Sequence, residues 1–502
     1  MRLTASDWIT LYVMAVLVVF GQSMAGDPGL GWHLRAGQWM TDNREVPTHD
    51  LFAFTTQGAT WIHDQWFGDV LLWWVYSLGG FPLLHVGAIG LVVAAFVAVP
   101  GSMLERRGYA PYLIVLTLVL SASTGAIQWL LRPVLFSFML FALLHRALLR
   151  FFDEQQPPLF LAPVPALFLL WANVHPAFVL GWMLLGVAVG VLIVRRDRRV
   201  LGVIGITLLS LIATLCTPHG IALHRKILTL GSSSGFMSLN REWLAPEWAN
   251  AFFPFYLLAA LLLLFAIARS GWRTMSGFEG CVVVLLLVAG FVSRRYIPFF
   301  AIAAPAPLLA MITHFVDERP ARSGKVIGRL VNLITRRSKR GAPGMGMMIP
   351  FAMWLWLVVT TVWSQRVPFR SEEDSAIPPR FPKQAVELIA HAPAARVFHT
   401  PDWGGYLSWR LYPRESVFID DRNVLHGEAR YREYFDLERE RRSWAEAVER
   451  YDFRWALLRP QAPLADTLRK SEQWTLVLEE KAVDPEGDAL LFRRNDAAER
   501  AL

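Results

Sequence analysis

Long apolar runs, separated by short polar breaks rich in arginine, occupy most of the first 365 residues. A helix that crosses a bilayer needs about 20 mostly apolar residues. Eleven stretches fit or approach that pattern: 8–25, 83–103, 109–125, 133–152, 159–173, 177–194, 200–217, 252–268, 277–293, 297–315 and 347–364. The stretch 159–173 is short and Pro-rich. Between the first two runs, residues 26–82 change character. Apolar and polar positions alternate at helical spacing over 32–40 and again over 63–80, where Trp66, Trp73, Trp74 and Tyr76 cluster. Aromatic rings of this kind favour the headgroup level, so both segments are predicted to be short surface helices. A span at 63–80 would instead turn the loop with Arg195 and Arg199 to the opposite side of the membrane.

From residue 366 the pattern changes again. A Pro-rich linker, VPFRSEEDSAIPPRFP, leads to a predicted helix at 382–391. ARVFHT and SVFIDD read as short strands with GGYLSWRL between them, Gly404 and Gly405 making a tight turn. Residues 426–450 read as charged and helical, and RWALLRP, WTLVLEE and ALLFRR as three more strands. The expected fold is therefore mainly α: a polytopic membrane domain over 1–365, with its first outer loop at 26–82, followed by a small extracytoplasmic α/β domain over 366–502.

Composition sharpens this division. Charged residues make up 18% of the chain, below the roughly 25% of ordinary soluble domains. Residues 366–502 hold 47 of the 90 charged side chains. The net charge of +8 comes from basic residues beside apolar runs rather than from a nucleic-acid surface. With the N-terminus inside, the inner loops collect Arg106, Arg107, Arg146, Arg150, Arg195, Arg196, Arg198, Arg199, Arg269, Arg273 and the basic run 316–346. That is the positive-inside pattern, and an odd number of spans puts the C-terminal domain outside, in a multi-pass inner (plasma) membrane protein. The first run reads as a retained span, since Asp27-Pro28 follows where small cleavage-site residues would stand. Cys216 and Cys281 lie in apolar stretches and make no disulfide framework.

The outer ends and loops gather the chemically interesting residues: Asp27, His33, Asp50, His63, Asp64, Gln128, Arg132, Asn173, His175, His219, Arg241, Glu242, Arg294 and Arg295. Ionisable groups at membrane depth are costly and mark functional sites. A long first outer loop with two surface helices and an Asp at the end of span one resembles the GT-C superfamily of membrane glycosyltransferases. The chain is similar to bacterial relatives of the dolichyl-phosphate-mannose–protein mannosyltransferases and of the lipid A aminoarabinose transferases. QWLLRPVLFS at 128–137, LWANVHPAFVLG at 170–181, REWLAP at 241–246, SRRYIPFF at 293–300, DWGGYLSWRL at 402–411 and VFIDDR at 417–422 look like stretches of their bacterial cousins. Many members carry two adjacent acids at the first site; here Pro28 follows Asp27, which raises Asp50 as an alternative.

The resemblance implies transfer of a sugar from a polyprenyl-phosphate donor to a lipid, glycan or protein acceptor at the outer face, with inversion. Asp27, or Asp50, would be the base that takes the acceptor's proton. Arg132, Arg294 and Arg295 would bind the donor phosphate, and His33, His63, Asp64, Asn173, His175 and Glu242 the substrates. Plainer roles stand beside these: a turn for Asp50, a helix–helix hydrogen bond for Asn173 and His175, snorkelling for the arginines, an ion pair for Asp421 and Arg422. No Gly-rich phosphate loop, DxD triplet, HExxH or Cys-pair spacing occurs. No fixed metal site is expected, and a divalent cation stays open as a cofactor. The alternatives are a transporter or flippase for a lipid-linked or anionic solute, and a non-catalytic membrane scaffold.

Overall fold

The structure, a computed structural model, describes residues 26–232, 241–271, 275–317, 381–482 and 485–495. The expected spans 8–25 and 347–364, and the basic run beyond residue 317, lie outside the described residues. The chain forms two compact units that interleave along the sequence. One contains residues 85–220 and 241–317, the other residues 26–84, 221–232 and 381–495.

The first unit is helical. Its apolar runs become the helices Pro111–Gly125, Val134–Asp153, Val164–Val174, Phe178–Val194, Val200–Ala213, Phe253–Ser270 and Gly277–Val292, with Ile297–Ala303 and Pro305–Asp317 after them. Two helical stretches, Trp66–Arg106 and Val134–Asp153, are each long and apolar enough to cross a membrane. Arg294–Ala303 and Pro305–His314, bent by 50° at their junction, qualify as a pair. Of the nine candidate spans within the described residues, six are shorter apolar helices of 10–17 residues. The shortfall has local causes. Val164–Val174 starts only after Pro163 and ends where His175 turns extended (φ −170°, ψ 142°) before Pro176. A residue preceding proline is driven out of the helical region.

Packing explains which faces are apolar on both sides. Phe138, Phe141 and Phe299 meet edge to face inside the unit. Leu201, Leu208, Leu261, Phe265, Val288 and Val292 point outward and are exposed. An outward apolar surface of this extent suits hydrocarbon rather than water. At one end of the unit Arg107 donates to Asp153 at 2.9 Å and to Glu279 at 2.6 Å. Glu279 also completes a capping box with Ser276 at the start of Gly277–Val292.

The second unit holds a four-stranded sheet. Its strands are β1 (Arg396–His399), β2 (Phe453–Leu458), β3 (Trp474–Glu480) and β4 (Ala489–Arg494), in the order β1-β2-β4-β3. The β1–β2 pair is parallel and the other two pairs are antiparallel. The core beneath it includes Phe398, Phe418, Tyr434, Phe453, Trp474, Leu490 and Phe492. The charged stretch forms two helices, Asn423–Glu438 and Trp444–Tyr451.

Two expectations need correction. SVFIDD is not a strand of the sheet: Val417 bridges Ala53 in the loop after the first helix instead. GGYLSWRL is not a turn: it lies in the helix Pro401–Leu411. Gly404 and Gly405 are there for proximity. A Cβ at Gly405 would sit 2.1 Å from the Pro28 carbonyl oxygen, and one at Gly31 would sit 2.2 Å from the Gly405 carbonyl oxygen. The two helices Leu30–Asn43 and Pro401–Leu411 thus touch backbone to backbone. The helix Trp66–Val93 is broken at Gly79 and Gly80, the end of the predicted surface helix.

Candidate functional sites

In the second unit, Asp27 is buried at the start of the helix Leu30–Asn43. Its Oδ1 accepts the Gly29 N–H at 2.8 Å. Asp421, distant in sequence, comes to the same place. A Cβ on Gly29 would lie 2.7 Å from Asp421 Oδ2 and 3.0 Å from Asp27 Oδ1, so the two carboxylates flank this glycine. Asp421 Oδ1 accepts the Trp32 indole N–H at 2.8 Å. A second acid is therefore present beside Asp27, supplied by residue 421 rather than 28.

Next to this pair lies a buried triad. Asp69 Oδ1 is 2.6 Å from His33 Nδ1, and its Oδ2 is 2.8 Å from His63 Nε2. The Trp32 and Trp61 rings lie 3.6 and 4.1 Å from the His33 and His63 rings. One carboxylate thereby fixes both imidazoles. Asp64 faces elsewhere and pairs with Lys226 at 2.8 Å, which also donates to the Ile62 carbonyl.

Asp50 sits in a separate, saturated network. Its carboxylate accepts from the Phe52 and Ala53 amides, the Thr56 hydroxyl and Arg422 Nη1. Arg422 also grips Asp420 through Nε at 2.9 Å and Nη2 at 2.6 Å, and His426 Nε2 is 2.9 Å from Asp420 Oδ1. The guanidinium lies 4.8 Å from the Trp61 ring centroid and 5.1 Å from that of Phe52. Burial would raise the Asp420 carboxyl, but Arg422 outweighs it and holds the group far below the usual carboxylate range. The expected Asp421–Arg422 pair is replaced by Asp420–Arg422–Asp50. With all its oxygens engaged, Asp50 has the arrangement of a structural ion pair.

In the first unit, four of the residues singled out from the sequence converge. Glu242 accepts from Arg132 through one oxygen, and from Arg295 Nε at 3.2 Å through the other. Ser293 Oγ donates to the Glu242 carbonyl at 3.1 Å, and Arg294 N–H to that of Leu244 at 3.1 Å. Arg295 stacks 4.4 Å over Trp243. Burial pushes the Glu242 carboxyl upward, yet Arg132 and Arg295 prevail and hold it at about 2. His175 lies within the same electrostatic field. Burial first, then Arg295 and Arg132, hold its pKa well below the ordinary value and keep it neutral. The helices Val134–Asp153 and Gly277–Val292 run from this group to the Arg107 cluster. Asp153 and Glu279 stand at their far ends, so the two charged groups cap opposite ends of the same helices. Twenty residues at 1.5 Å each make about 30 Å, the thickness of bilayer hydrocarbon. Asn173 is apart from the group, donating to the Leu169 and Cys216 carbonyls at 2.8 and 3.0 Å.

The comparisons with known proteins are sparse. No family model matches the chain, and no curated protein does. Among solved structures it is similar to the arabinofuranosyltransferase AftD from Mycobacteria, known from cryo-EM. The TM-score is 0.45 at 14% identity, over 99% of this chain and 40% of that one. The chain thus spans well under half the length of that protein.

Sequence reasoning passed over Asp69 and Ser137, and read Asp421 only as an ion-pair partner of Arg422. Asp69 carried a signal, being an acid in the first turn of an aromatic-rich amphipathic helix. Asp421 carried one too, in the doublet Asp420-Asp421. Ser137, inside an apolar helix, carried none. Among the described residues no group of three or more His, Cys, Asp or Glu is arranged to hold a metal ion.

Proposed function

We propose that this chain is an inverting membrane glycosyltransferase that moves a sugar from a polyprenyl-phosphate donor to an acceptor hydroxyl at the extracytoplasmic face. The observation that carries the reading is the assembly of Arg132, Glu242 and Arg295 from three separate stretches of sequence. Two guanidiniums held by one carboxylate put planar, fixed positive charge in one place, the kind of group that matches phosphate oxygens. Glu242 fixes their positions in advance, so little reorganisation is needed when charge develops on the leaving phosphate.

The other requirement is a base. In the proposed reaction the acceptor oxygen attacks the anomeric carbon, and the bond from that carbon to the phosphate oxygen breaks. The hydroxyl proton passes to a carboxylate base, and the electron pair leaves with the phosphate. Asp27, buried at the start of the helix Leu30–Asn43, is the candidate that the sequence offers for that role. His33, His63, Asp64, Asn173 and Asp50 have structural partners and are read as supports. The test is transfer from a radiolabelled prenyl-phosphate sugar by membranes holding wild type or Asp27→Asn. A loss of about 10²- to 10⁴-fold is expected; equal turnover removes Asp27 as base.

A transporter is the second reading, favoured by the 50° break that follows Arg294 and Arg295. Uptake or flipping of a labelled prenyl phosphate that persists in Asp27→Asn would select it.

A further inference from the structure

His175 is held in one tautomer by a chain of hydrogen bonds that the proposed reaction has not yet used. Trp171 donates its indole N–H to Ser137 Oγ at 2.8 Å. An indole only donates, so the serine's own proton is available to His175 Nδ1, 2.9 Å away. The Ala177 amide donates to the same nitrogen at 3.2 Å. A ring nitrogen that accepts two hydrogen bonds carries no proton, which leaves the proton on Nε2. The extended backbone at His175 and the proline after it fix where the ring stands. Ser137 stands in the first turn of the helix Val134–Asp153, which follows directly on Arg132 and Pro133, so the ring is tied to the end of the helix where Arg132 lies.

We propose that His175 is the third donor of the phosphate site made by Arg132 and Arg295, a neutral imidazole whose Nε2–H is set by Ser137, Trp171 and Ala177 to hydrogen-bond a phosphate oxygen. The inference rests on the reading of Arg132 and Arg295 as phosphate-binding groups. A neutral donor has a particular value there. The donor lipid is a phosphodiester with one negative charge, and the departing prenyl phosphate gains more. A hydrogen bond strengthens with that growing charge, whereas a third fixed cation would hold substrate and product tightly throughout.

The binding of farnesyl phosphate and of inorganic phosphate to the full chain in detergent tests this, by titration calorimetry on wild type, His175→Asn and His175→Gln. An asparagine oxygen can replace Nδ1 as acceptor from Ser137 and Ala177, but offers nothing at the Nε2 position. A glutamine amide reaches toward that position with an N–H. For farnesyl phosphate, His175→Asn is expected to weaken binding roughly ten- to a hundredfold, and His175→Gln by less than about tenfold. Unchanged affinity in His175→Asn, or equal losses in both variants, would overturn the proposal. If wild type binds inorganic phosphate as tightly as farnesyl phosphate while the His175 pattern holds, His175 keeps its role and the lipid-linked donor is refuted. If wild type binds neither, the reading of the arginines fails, and the role of His175 with it.

Discussion

Two arginine clusters in this chain are built from the same groups and differ in what is left over. Arg422 has a side chain only 4% exposed, clasped by Asp420 and Asp50 and covered by aromatic rings. Arg132 and Arg295 share one carboxylate, and their side chains are 15% and 35% exposed. In the first cluster, negative charge exceeds positive and every geometric demand is met. In the second, two cations share a single acid. Residue type cannot separate the two cases; the ratio of donors to acceptors around each guanidinium can.

The sharpest break of that comparison is a pair of substitutions. Arg422→Ala strands two buried carboxylates and is expected to cost about 3–5 kcal/mol of stability, seen as a lower denaturant midpoint of the full chain. Arg295→Ala leaves Glu242 paired with Arg132 and should change stability by less than about 1 kcal/mol, while lowering the transfer rate on the order of 10²- to 10³-fold. A stable Arg422→Ala, or an unfolded Arg295→Ala, would reverse the assignment.

A smaller effect is read with pH. His399 is buried in the second unit, its Nε2 accepting the Phe418 N–H at 3.1 Å, and burial lowers its pKa to about 4. An unfolded histidine takes a proton near pH 6.5, so the unfolded state binds it first as pH falls. Stability is therefore full above about 6.5 and is lost between about 6.5 and 4, by on the order of 3 kcal/mol. Unfolding midpoints measured across that window should slope in wild type and slope less in His399→Gln, His175 supplying part of the remainder. An equal slope in both would assign the loss to another group.

The smallest expected change is at the backbone contact. Gly405→Ala puts a methyl against a carbonyl oxygen that cannot rotate away, costing about 1–3 kcal/mol. A thermal shift on the full chain reads it, and a neutral result would mean that the two helices separate easily.

Much of the helical unit was legible in the sequence, because a 20-residue apolar run has few other uses. The run at 133–152 became Val134–Asp153, and the helix at 277–293 became Gly277–Val292. The arginine group was legible in its members, since Arg132, Glu242 and Arg295 stood out as charges beside apolar runs. The surroundings of Asp50 were not legible, because its partner is Arg422 and nothing local in THDLFAF announces a cation 372 residues away. Gly404 and Gly405 misled for a related reason. A glycine pair signals a turn by default, whereas here it answers to Pro28 and Gly31 in a distant helix. SVFIDD had the pattern of a strand and does bond like one, but to the loop at 52–54.

The contact of Gly31 with Gly405 also sets a schedule for biogenesis. The segment from Asp27 to Asp69 leaves the ribosome long before the helix at 401–411 exists. At roughly 5–20 residues per second, translation takes on the order of tens of seconds to reach it. During that interval Trp32, Phe52 and Trp61 lack the neighbours that later cover them. A nascent chain in this state is a natural client for chaperones.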